Sequence, residues 1–78
     1  MARITSITKI DKKRNFVHDE VPATYTVFSK NGEKYFQIDT YGKEEREFAN
    51  KSSQIIQLDK KSALSLIELL MHEFNLHQ

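Results

Sequence analysis

The stretch from Gln54 to Phe74, QIIQLDKKSALSLIELLMHEF, constrains the fold more than any other. It opens as a short apolar strand over 53–58, passes through Asp59, and continues at helical spacing. Asp59 has the right chemistry for an N-cap, because its carboxylate can accept from the unpaired amides of a first helical turn. Beyond it Ala63, Leu66, Ile67, Leu70, Met71 and Phe74 fall on one broad stripe, widened by Leu64. This is the one strong helix signal in the chain. The residues before it read as strands and turns, so the stripe is expected to cover one face of a sheet. Leu69 and Leu76 lie across the helix from the stripe's centre, and that position predicts a homodimer contact.

The clearest hairpin precedes it. Thr24–Ser29 is β-branched and aromatic, Asn31-Gly32 supplies two residues that tolerate positive φ, and Lys34–Thr40 is a second strand. Alternation puts Phe36 and Ile38 on the core face; on the first strand Tyr25 and Val27 join them with Thr24, Thr26 and Phe28 outward, or that strand's assignment is reversed, an alternative that alternation leaves open. Thr24, Thr26, Phe28, Tyr35, Gln37, Asp39 and Tyr41 then form an outer polar-aromatic face. Upstream, Ile4, Ile7 and Ile10 predict a strand whose period of three needs a bulge or sharp twist. Asp11–Arg14 reads as a charged turn, Asn15–His18 as a further strand segment, and Pro22 as a break. Residues 42–51 form a polar connection that Phe48 would anchor. The expected fold is a single α+β domain over residues 1–78: a four-stranded antiparallel sheet followed by one C-terminal amphipathic helix (ββββα), dimeric.

Composition narrows the function. At 78 residues without cysteine, the chain has no disulfide or thiolate zinc site to supplement a small core. A partner subunit is the remaining supplement. The sequence offers no signal-peptide or membrane-spanning run, which points to a cytoplasmic protein. No thiol nucleophile exists, the serines lack a nucleophile-elbow context, and His72 and His77 are spaced wrongly to share a helix face for a metal. Gly32 and Gly42 stand alone, so no phosphate-cradling loop is present. The expectation is no catalysis, no metal and no cofactor. Net charge is only +1, but residues 1–18 are locally basic and 19–47 locally acidic, and local patches decide whether a phosphate backbone is attracted.

Ile38, Tyr41, Gly42, Lys51, Ile56, Leu58 and Asp59, followed by the helix, resemble the pattern of the positive-cofactor-four family of single-stranded-DNA-binding proteins over the C-terminal two thirds. Asp39 stands where that family carries an arginine. The segments QIDTYG and KSSQIIQLD are also similar to short bacterial proteins without an established role. The first resemblance implies a homodimer that binds unpaired DNA or RNA along its sheets. Tyr35 and Tyr41, with Phe28, would stack on bases. Arg3, Lys34, Lys43, Arg46 and Lys51 would meet phosphate, and Gln37, Ser53 and Gln57 would hydrogen-bond. The alternative reading of the same face is a small protein-interaction module with a protein partner, since tyrosine and arginine are also favoured at interfaces.

Overall fold

The computed structural model describes residues 1–42 and 52–77. Four strands, β1 (Ala2–Ile4), β2 (Ala23–Lys30), β3 (Glu33–Thr40) and β4 (Gln54–Leu58), precede one helix, α1 (Lys60–Phe74). The strands form one sheet in the order β1-β4-β3-β2. The expected ββββα fold is therefore present, with one difference: the sheet is mixed. β2, β3 and β4 pair antiparallel, whereas β1 lies parallel to β4.

Topology explains why β1 is short. β1 and β2 occupy opposite edges, so the chain between them must cross about three strand spacings of ~4.8 Å each. The pairing stops at Ile4, and residues 5–22 make that crossing without strand or helix. Ile7 and Ile10, expected to continue the strand, are exposed, and Asn15–His18 is not a strand either. The arm is fastened near the far end of α1 by an ion pair, Lys9 Nζ to Glu73 Oε2 at 3.1 Å.

The β2–β3 hairpin forms as its residues dictate. Asn31 (φ 55°) and Gly32 (φ 79°) occupy the left-handed region that a two-residue turn with the twist of its strands requires. The register pairs Tyr25 with Ile38, Val27 with Phe36 and Phe28 with Tyr35. β4 adds Leu58 beside Phe36 and Ile56 beside Ile38. Tyr25, Val27, Phe36, Ile38, Ile56 and Leu58 thus share the side on which the helix sits, and the register decides between the two assignments that alternation leaves open for β2.

The helix departs from expectation in which flank it docks. Ser62 is buried and Leu66 and Leu69 are half-buried, while Leu64, Ile67, Leu70, Met71 and Phe74 remain exposed. Beyond Ala63 and Leu66, the apolar stripe does not cover the sheet. A single residue, Asp59, links β4 to α1, so the strand direction fixes which flank of the first turn meets the sheet. The small Ser62 is what lets it approach. Leu69, expected on the far side, belongs to the docked line, and Leu76 lies exposed beyond the helix end. Helix α1 terminates where Asn75 turns left-handed (φ 53°) and Leu76 N–H donates to the Met71 carbonyl at 3.0 Å.

Asp59 is the N-cap and makes a reciprocal capping box. Ser62 N–H donates to Asp59 Oδ1 at 2.9 Å, and Asp59 N–H donates to Ser62 Oγ at 3.0 Å. The bonds from the Ser62 amide and then its hydroxyl hold the Asp59 carboxyl below the ordinary carboxylate range. A depressed folded-state value stabilises the fold at pH above about 3.9, the unfolded value, and that contribution is lost as pH falls through the folded value. Asp59→Asn, which caps comparably, is expected to keep the melting temperature at neutral pH. It should lose less than the parent on acidification to about pH 3, the unfolded-state range of a carboxyl. Thermal melts by circular dichroism across that range check this; parallel losses in both proteins would remove the assignment.

Candidate nucleic-acid interface

The side of the sheet away from α1 carries the chemistry. β3 contributes Tyr35, Gln37 and Asp39, β2 contributes Thr24, Thr26, Phe28 and Lys30, β4 contributes Ile55 and Gln57, and β1 contributes Arg3. The parallel register of β1 sets Arg3 beside Gln57, and β4 sets Gln57 beside Gln37. Arg3 reaches across to β3, its Nη1 donating to Tyr35 Oη at 3.3 Å with the guanidinium carbon 5.7 Å from the ring centroid. On the other side of Tyr35 lies Phe28, ring centroids 5.5 Å apart and tilted by 30°. Arg3, Phe28, Lys30, Tyr35 and Gln57 together line one open depression. Two aromatic rings are thus flanked by two cations near the hairpin end of the face.

The opposite end is anionic and internally bonded. Gln57 Nε2 donates to Gln37 Oε1 at 2.8 Å, Gln37 Nε2 donates to Asp39 Oδ1 at 2.8 Å, and Ser52 Oγ donates to Asp39 Oδ2. The bond from Ser52, then that from Gln37, hold the Asp39 carboxyl below its ordinary value. Asp39 is a fixed negative charge there.

The expected site residues separate accordingly. Arg3, Tyr35, Gln37 and Gln57 come together. Tyr41 does not join Tyr35: it lies six residues on, ~20 Å along an extended strand, and its hydroxyl shares a hydrogen bond with Thr24 Oγ1 at 3.0 Å. Lys34 is on the other side of the sheet, lining a groove with Val27, Phe36, Leu58 and Ala63. Ser53 is exposed and immediately precedes β4, its amide donating to the Thr40 carbonyl. Lys43, Arg46, Lys51 and the anchoring Phe48 lie outside the described residues. Lys30 was missed, although period two puts it on the side of Phe28 once the hairpin is accepted.

Among the described residues no group of three His, Asp or Glu side chains could hold a metal ion, and no helix is long and apolar enough to cross a membrane. Comparisons with models of protein families, with curated proteins and with solved structures find no match to this chain.

Proposed function

We propose that this protein binds single-stranded nucleic acid on the helix-free side of its sheet. The observation that carries the reading is the Arg3–Tyr35–Phe28 cluster with Lys30 beside it. Unpaired bases present π-faces that stack on aromatic or guanidinium planes without sequence readout, and cations alongside meet the phosphates. Duplex DNA buries those base faces, so this surface has little to offer it beyond charge. The strand runs past the hairpin end and avoids Asp39, whose carboxylate repels phosphate.

Fluorescence anisotropy with a labelled oligothymidylate and a duplex of equal length, each at two salt concentrations, tests the reading. Single strands are expected to bind at least about tenfold tighter than duplex at low salt, a factor within the worth of one base–aromatic stack. Lys30→Ala should lower the magnitude of the log K against log salt slope by ~0.7, the share of one phosphate contact on a single strand. Asp39→Asn keeps the acceptor for Gln37 while removing the charge, and should tighten binding at low salt. Affinity no better than that of an unrelated protein of similar charge would discard the proposal and leave the protein-interaction module.

A further inference from the structure

We infer that the free edge of β2 is a docking edge, which takes an extended segment of another protein as an added strand. The inference does not depend on nucleic-acid binding. The sheet treats its two edges differently. β1 is three residues long and carries Arg3 at its centre, and a short, charged strand is a poor template for further pairing. β2 is eight residues long and exposed throughout. No proline interrupts it, and its only charge is Lys30 at the last position. Its register with β3 is unbroken from Ala23–Thr40 to Lys30–Glu33, so no bulge twists the edge away. An edge of that length without such devices is open to pairing.

The hairpin fixes which backbone groups the edge offers. The tight turn over Asn31-Gly32 closes on Lys30 and Glu33 as a hydrogen-bonded pair, and bonded and non-bonded pairs then alternate along the ladder. Phe28, Thr26 and Thr24 therefore bond to β3. The same parity continues past the strand, where Tyr41 N–H donates to the Pro22 carbonyl at 3.2 Å. Ala23, Tyr25, Val27 and Ser29 turn their N–H and C=O groups outward, and among the described residues nothing pairs with them. Donors and acceptors recurring at every second residue match one partner chemistry, an extended polypeptide backbone.

Side chains narrow that partner. On the helix side Tyr25 is 68% exposed and stacks on Phe36 at 5.0 Å, and Val27 is exposed on the same side. A strand laid along the edge places β-branched or aromatic residues opposite these two. On the other side Thr24 and Thr26 favour threonine or serine opposite them. Lys30 stands at the hairpin end, where an opposing acid complements its charge. Antiparallel addition, the more stable of the two directions, puts that acid at the N-terminal end of the incoming segment. The partner is thus an alternating apolar and polar segment led by Asp or Glu. A second copy of β2 lacks this complementarity: paired antiparallel to itself about Val27, it sets Lys30 opposite Thr24.

The capped peptide Glu-Val-Thr-Ile-Thr-Ile-Lys, aligned from Lys30 back to Thr24, is the probe, read by amide hydrogen exchange of the full chain. Its addition is expected to slow exchange at the Tyr25, Val27 and Ser29 amides at least about fivefold, the worth of one hydrogen bond. The amides of Thr24, Thr26 and Phe28, already bonded to β3, should change little. N-methylating the probe at its valine and isoleucines, whose N–H groups face β2, should abolish the effect. N-methylating its threonines, whose N–H groups face away, should not. Val27→Pro, which an edge strand tolerates where the N–H faces solvent, should keep the fold by circular dichroism and weaken probe binding at least about fivefold. If that variant fails to fold, the two methylated probes carry the test on the unaltered protein. Three results overturn the inference: no slowing by the probe at millimolar concentration, equal loss from both methylated probes, or Tyr25, Val27 and Ser29 amides already protected without it in a concentration-dependent way, as a second copy on the edge would give.

Discussion

Leu58→Ala is expected to lower the unfolding free energy by about 2–5 kcal/mol, lost transfer energy plus the cavity left behind. Leu58 is 5% exposed, sits between Phe36 and Ile4 on the neighbouring strands, and precedes the Asp59 cap. The sheet and the helix therefore meet at this side chain. Domains of this kind are stable by only about 5–15 kcal/mol, so the loss approaches unfolding. By contrast, Leu70→Ala removes a side chain that is 41% exposed, and it should cost well under half as much. Urea unfolding at a low and a high protein concentration separates the two. Leu58→Ala should shift the midpoint strongly at both concentrations, and Leu70→Ala only slightly. Equal shifts for the two variants at every concentration would show that the stripe belongs to a protomer core.

Phe28→Ala and Tyr35→Ala are each expected to weaken single-strand binding by ~1–3 kcal/mol, or about 5- to 150-fold. Phe28 is the more accessible ring, while Tyr35 holds Arg3 by its hydroxyl and supports Phe28 by its ring. Tyr35→Phe should therefore retain the stack and lose only the orientation of Arg3, giving a smaller deficit. Tyr41→Ala should leave affinity nearly unchanged, because its hydroxyl is engaged with Thr24 away from the cluster. Anisotropy titrations of the four variants, after circular dichroism has confirmed folding, check the order. A Tyr41→Ala deficit as large as that of Tyr35→Ala would place the strand along the Asp39 end instead.

Much of this arrangement was legible in the residues. Asn31-Gly32 dictates its turn, alternation separates Tyr35 from Phe36 and Phe28 from Val27 while the register decides which of them share a side, and Asp59 marks the cap. Lys34 was legible too, since one step from Tyr35 along a strand is a change of face. What could not be read depends on contacts remote in sequence. The parallel pairing of β1 with β4, which brings Arg3 to Tyr35, leaves no mark on local periodicity. The docked flank of α1 is set by the one-residue link from β4 and the small Ser62, whereas hydrophobic periodicity reports only that a flank is apolar. Periodicity marks an apolar flank without saying what covers it, and so it assigned to the core Leu64, Ile67, Leu70, Met71 and Phe74, which this chain leaves exposed.

The most direct test of the functional claim is an amide chemical-shift titration with an unlabelled oligothymidylate. The account predicts shifts concentrated at Arg3, Phe28, Lys30, Tyr35 and Gln57, which line one depression, with the amides of α1 from Leu64 to Phe74 unmoved. Shifts confined to the lysines and arginine of residues 9–14 or to the helix, or no shifts at all, would contradict it.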